Sequence, residues 1–465
     1  MKSMRFPLAL LVALVITFNL AMVCAQAQTI ATLSVFNGIN GRGPQGSPIQ
    51  SINGTFYGST TGGGLGYGNI YEVMPSGELR NFYSFCALAN CTDGQAPVQL
   101  MLGSDGNFYG VTAFGGANVG YIGGTGFKMT QGGVLTTLHS FCSRSNCSDG
   151  EVPDGLVQAN DGNFYGSTAG GGANGYSYGT LFEITPAGKF KVLYSFCSLS
   201  NCLDGETPAE PYQASDGNFY GVAMGGGSYG EGVVYELTSS GSYSVLYNFC
   251  SQSNCADGSY PLGARLVQDA SGNLYGVTRL GGQNGEGTVF EITPSHQYVV
   301  LYSFGRDLDN PQGGLTLAND GNLYGSSGNS VFMITSAGVV TTFTCPSKKD
   351  CLTTGILQGT NGLFYGTTLG GGPFNYGTVV SFSNNLSPLI ETVPVAGKAG
   401  TRVIILGNGL TGSTSVTFNG TPATFTVKSN TYITAIVPSG ATTGTVTVTT
   451  PTGMLNSNPV FQVLK

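Results

Sequence analysis

At 465 residues with 75 glycines, two histidines and no tryptophan, the chain is poor in the side chains that most often do chemistry and rich in the one that makes turns. Glycine without a three-residue period is not collagen, and 41% hydrophobic with 11% aromatic residues is too much apolar material for a disordered chain. A formal charge of −7 drawn from only 9% charged residues argues against nucleic acid or anionic membrane as partner, since both demand clustered Lys and Arg.

The elements follow in chain order. Lys2 and Arg5 precede an apolar run over 6–24, and Ala25-Gln26-Ala27 supplies a small-x-small cleavage pattern, so 1–27 reads as a secretory signal peptide with no membrane span after its removal. Past Cys24 the cysteines fall in close pairs: Cys86/Cys91, Cys142/Cys147, Cys197/Cys202, Cys250/Cys255 and Cys345/Cys351. An even number at a repeated local spacing in an exported chain predicts five disulfides. Zinc would need two pairs converging on one ion, and each pair belongs to a separate repeat.

Aligning on Asn-(Phe/Leu)-Tyr-Gly and its variants gives tyrosines at Tyr57, Tyr109, Tyr165, Tyr220, Tyr275, Tyr324 and Tyr365. Separations of 41 to 56 residues suit one four-stranded blade per repeat. The third repeat predicts strands a to d over 155–159, 163–168, 180–185 and 190–196. Asp-Gly makes the a-to-b turn, as in Asp161-Gly162, because both positions tolerate positive φ. The b-to-c connection is long and glycine-rich, and the d-to-a connection carries the cysteines. The seventh repeat has strands at 355–359, 363–368 and 377–382 but no fourth, while residues 32–36 before the first repeat resemble an orphan strand d. The prediction is all-β: a seven-bladed β-propeller over 28–385 closed by its N-terminal strand, which limits exposed sheet edges.

Within that region Asp-Gly-x-x-Pro, Asp-Gly-Asn-(Phe/Leu)-Tyr-Gly, Gly-Gly, Gly-Thr-Val-Phe and Leu-Tyr-Ser-Phe recur in order. The pattern resembles the Gloeo_Verruco tandem repeat of exported bacterial proteins. Repeat five departs from it with Gly305 in place of a cysteine, and repeat six shortens its b-to-c loop to Gly328-Asn329. The resemblance implies a secreted or cell-surface propeller and brings no established reaction. From 386 to 465 the cysteines stop, and strands are predicted at 402–406, 415–418, 423–427, 432–437 and 444–449, an immunoglobulin-like sandwich. Gly400-Thr401-Arg402-Val403-Ile404-Ile405-Leu406-Gly407 with Val416-Thr417-Phe418-Asn419-Gly420 and Ile436-Val437-Pro438 resembles the IPT/TIG family, which implies a spacer or contact module.

On function, the long loops collect on one face of such a propeller, and loops on a rigid scaffold favour binding. The reading is a non-catalytic binding or scaffold protein whose loop face takes a protein or glycan, with no cofactor; the rival is a carbohydrate-active enzyme using loop-face carboxylates. The loop tyrosines Tyr67, Tyr121, Tyr176, Tyr178, Tyr229 and Tyr376 are the candidates for ligand contact. Asp93, Asp149, Asp204 and Asp257 recur before strand a, where a ring of carboxylates would suit calcium, or each makes a local turn to backbone amides. The strand-c acids Glu72, Glu183, Glu236 and Glu291 are equivalent to one another, whereas an acid–base pair needs two unlike environments. His139 stands where other repeats have tyrosine, and His296 lies at a c-to-d turn, so neither a triad nor a histidine metal site is visible.

Overall fold

The computed structural model describes residues 30–464 apart from 118–122, 262–264, 306, 307, 309, 329, 346, 348 and 350. The segment 1–27 predicted as a signal peptide therefore lies outside the described residues. Among those described, the chain lays down seven antiparallel sheets in succession, each of four strands or, where strand a is split in two, five. In the third blade strand a is Glu151–Gln158, b is Phe164–Gly170, c is Thr180–Ile184 and d is Phe190–Ser195. Strand a thus begins before residue 155, where turn composition had placed its start. Val152 takes a left-handed φ of 53° and donates its N–H to Gly123 O of the preceding blade, while Glu151 still pairs with Gly170 and Pro153 with Thr168. A bulge between Pro153 and Gly155 absorbs the irregularity. At the other end of the repeats, Ile30–Val35 pairs antiparallel with Thr378–Phe382 and supplies the outer strand of the seventh sheet.

Successive residues of a strand point to opposite faces, so in strand b the Phe or Leu turns to one neighbouring blade and the Tyr to the other. Tyr57 meets Phe108 with ring centroids 4.6 Å apart, Tyr109 meets Phe164 at 4.0 Å, and Tyr165 meets Phe219 at 4.3 Å. Tyr220 packs in one core cluster with Leu274, and Tyr275 in another with Leu323, where the repeat has leucine. Tyr324 meets Phe364 at 4.4 Å, and Tyr365 meets Phe56 of the first blade at 4.0 Å, which returns the circuit to its start. Burying each such ring contributes about 1.5–3 kcal/mol. The glycine after the tyrosine is set by crowding. Gly166 lies opposite Phe182, and a Cβ there would overlap the Phe182 ring; Gly110 and Gly276 meet Phe127 and Phe290 in the same way.

A second belt crosses the blade junctions. Gln158 accepts the Ser104 N–H of the preceding blade at 2.8 Å and donates to Gly162 O of its own turn at 3.0 Å. Gln213 and Gln268 repeat both bonds, and Gln50 accepts the Thr360 N–H across the junction of the seventh and first blades.

The C-terminal segment forms two four-stranded sheets. One orders Glu391–Val393, Arg402–Leu406, Tyr432–Ile436 and Phe425–Ser429; the other has Ser415–Phe418 and Val446–Thr450 at its centre. Val403 and Ile405 enter the sandwich core with Phe418, Ile433 and Val448, whereas Ile404 and Leu406 pack with Tyr57, Leu102 and Phe108 of the propeller. The unbroken apolar run 403–406 is therefore buried on both sides. The sandwich lies on the face that carries the short turns: Thr431 Oγ1 donates to Ile52 O, Asn408 Nδ2 to Thr360 Oγ1 and Asn458 Nδ2 to Leu317 O. It is seated on the propeller and does not stand off as a spacer. Glu391, paired with Leu406, shares the propeller-facing side, and burial raises its pKa to about 7.

Two outcomes are expected. Gly166→Ala should cost about 1–3 kcal/mol in denaturant unfolding, because both the Gly155 carbonyl of strand a and the Phe182 ring must move. A carboxyl whose folded pKa is raised contributes stability below its unfolded pKa and loses it as pH rises through the folded value. Thermal melts should therefore show Glu391→Gln flattening part of the stability loss on raising the pH through about 7.

Candidate functional site

The long connections gather on the face away from the sandwich, and each cysteine pair forms its disulfide: Cys86–Cys91, Cys142–Cys147, Cys197–Cys202, Cys250–Cys255 and Cys345–Cys351. In the first four loops a left-handed residue is needed inside the bridge, and asparagine supplies it: Asn90, Asn146, Asn201 and Asn254 have φ between 56° and 58°. The loop aspartates are consumed within these loops. Asp204 accepts the Tyr194 hydroxyl at 2.6 Å, the Ser198 N–H and hydroxyl at 2.8 Å each, and the Leu199 N–H at 3.1 Å. Asp257 has the same four donors from Tyr247, Ser251 and Gln252, and Asp93 takes the Tyr83 hydroxyl with the Ala87 and Leu88 N–H groups. At Asp149 burial opposes ionisation, but bonds from His139, Ser143 and Arg144 outweigh it and hold the pKa at about 2. Among the described residues these carboxylates form no ligating group of three. Each of the four aspartates builds a local turn.

Of the tyrosines singled out, Tyr67, Tyr176, Tyr229 and Tyr376 stand exposed on this face, Tyr176 and Tyr229 at 58% and 55% of their surface. Tyr178 packs against the cluster around Phe196 and Leu237 and is a weaker contact residue; Tyr121 lies outside the described residues. The sequence reading missed exposed Phe114, Tyr260, Leu280, Leu369 and Phe374 beside them. Phe374 was legible, lying two residues from Tyr376 in the same loop, whereas Phe114 and Leu280 continue a strand b and read as core.

The opposite face holds the equivalent acids. Asn163 Nδ2 donates to Glu183 at 2.8 Å and Asn218 Nδ2 to Glu236 at 2.8 Å, while Tyr57 donates its hydroxyl to Glu72 at 3.2 Å. Glu291 has its pKa raised by burial and by Asp269. His139 replaces an aromatic packing residue, stacking on Phe190 at 3.8 Å as Tyr194 stacks on Tyr243 and Tyr247 on Tyr298. His296 has φ 60° where the corresponding turns use Gly77, Gly133, Gly188, Gly241 and Gly338, and it lines a cavity of about 470 Å³ with Asp216, Tyr220 and Glu236. If the loop aspartates are structural, Asp204→Ala should lower stability by about 1–3 kcal/mol, by the same amount in calcium and in EDTA, in denaturant titrations.

No protein of curated function matches the chain. Solved structures of similar fold include a streptogramin B lyase, at 15% identity and TM-score 0.53 over 77% of this chain and 98% of that one. Virginiamycin B lyase from Staphylococcus aureus is similar at 14% identity and TM-score 0.53, covering 77% of this chain and 99% of that one. The extracellular domain of a hybrid two-component system from B. thetaiotaomicron is similar at 11% identity and TM-score 0.50, covering 82% and 46%. At these identities the likeness shows the fold, a β-propeller. The IPT/TIG domain family matches residues 383–463. Because the Gloeobacter/Verrucomicrobia repeat matches 17–211 and 198–380, most of its length, the chain belongs to that repeat family and carries an IPT/TIG domain after it.

Proposed function

We propose that the protein is a non-catalytic extracellular binding or scaffold protein whose loop face takes a protein or glycan. One observation carries the reading. The sandwich occupies the short-turn face, and the opposite face presents Tyr67, Tyr176, Tyr229, Tyr260, Phe374 and Tyr376 to solvent on or beside disulfide-tied loops. Aromatic side chains give large contact area at low entropic cost, and tied loops reduce the ordering cost of binding. Five disulfides and the signal-like pattern at 1–27 support an oxidising compartment, and among the described residues no helix is long and apolar enough to cross a membrane. The four recurrent loop aspartates, Asp93, Asp149, Asp204 and Asp257, are tied up in local hydrogen bonds, which favours binding over an enzyme built on them.

Glycan and bacterial surface-protein arrays probed with the intact chain should give saturable binding that Tyr229→Ala and Phe374→Ala each weaken at least about tenfold, the loss expected of an aromatic anchor. Absence of saturable binding, binding indifferent to both substitutions, or turnover of an arrayed glycan would each overturn the proposal.

A further inference from the structure

Two carboxylates that the sequence reading did not select meet at the inner rim of the propeller. In strand a of successive blades the second residue after proline is Gly46, Gln99, Gly155, Glu210 and, in the sixth, Gly313. Gly155 shows where this position points: a Cβ there would overlap Gln99 Oε1 of the preceding blade and lie 3.1 Å from the Glu210 carboxyl carbon of the following one. A residue that touches strand a on both sides lies on the inner rim, so glycine keeps this point of the ring open while Gln99 and Glu210 reach across it. Asp154, the residue before Gly155, brings a second carboxylate beside Glu210. Glu210 is 5% exposed and its Oε1 has no hydrogen-bond partner. The nearest cation, Arg265 Nη1, stands 3.9 Å from Oε1 and is half exposed.

We propose that Glu210 Oε1, the Asp154 carboxylate and the Gln99 side-chain oxygen form a site for one divalent cation of the calcium class, held at the inner rim between the second, third and fourth blades. Hard cations take oxygen ligands of this kind, two of them anionic, and a bare buried carboxylate oxygen is the acceptor such an ion satisfies. The charged and titratable groups around the pair are Arg265, Tyr235 and Tyr212, of which only Arg265 is cationic. The site differs from the four cysteine-loop aspartates, which already have their full set of donors.

Terbium luminescence tests it, because Tb³⁺ substitutes for Ca²⁺ and, with no tryptophan in the chain, any sensitised emission arises from tyrosine such as Tyr235. Titrating TbCl₃ into the purified chain should give one saturating site that CaCl₂ displaces. Glu210→Gln and Asp154→Asn should each weaken it at least about tenfold with unchanged circular dichroism, and Asp204→Asn should not. Gln99→Glu, which adds a third carboxylate over Gly155, should tighten it and raise the melting temperature in CaCl₂, a readout that does not depend on the loss variants folding. No stoichiometric terbium site, or emission and calcium stabilisation unaffected by both Glu210→Gln and Gln99→Glu, would overturn the assignment.

Discussion

The contact between the strand-b tyrosine of one blade and the strand-b phenylalanine or leucine of the next is the interaction on which the rest depends. It is made once at every junction, from Tyr57 on Phe108 round to Tyr365 on Phe56. Adjacent residues in one strand serve two different junctions, so a dipeptide repeated seven times both defines a blade and joins it to its neighbours. The glycine that follows is crowded by the strand-c ring, as Gly166 is by Phe182, and so the tetrapeptide records packing as well as pairing.

With the ring fixed, the two faces divide their work. Short turns are drawn together by Gln50, Gln158, Gln213 and Gln268, each joining its own turn to that of the preceding blade, and they offer a firm surface on which the sandwich sits. Ile404 and Leu406 make that contact while Val403 and Ile405 face inward, so a single strand serves two cores. The long loops are left to solvent, and their disulfides and buried aspartates hold them in place. A structural role for Asp93, Asp149, Asp204 and Asp257 follows from saturation: a carboxylate already accepting three or four hydrogen bonds in a buried loop has little left for a shared ion.

The inner rim follows a different logic. Repetition favours identical residues at equivalent positions, and glycine recurs there, at Gly155 because a Cβ would run into Gln99 Oε1 and at Gly313 because it would run into the Thr354 backbone. Departures from glycine at Gln99 and Glu210, with Asp154 and Arg265 beside them, break the repeat at one arc of the ring.

The sequence by itself determined the all-β class, the seven repeats, the cysteine pairing, the N-terminal strand completing the last sheet and the sandwich that follows, because each depends on local spacing, turn chemistry or two-residue alternation. It also identified His139 as a packing residue and Tyr67, Tyr176, Tyr229 and Tyr376 as loop residues open to solvent. Only the tertiary structure decided that strand a runs through Glu151-Val152-Pro153, that Tyr178 is packed, that the sandwich is seated on the short-turn face, and that Asp154 and Glu210 come together. These depend on contacts between blades and between domains, where residues distant in the chain meet at distances that no local pattern encodes.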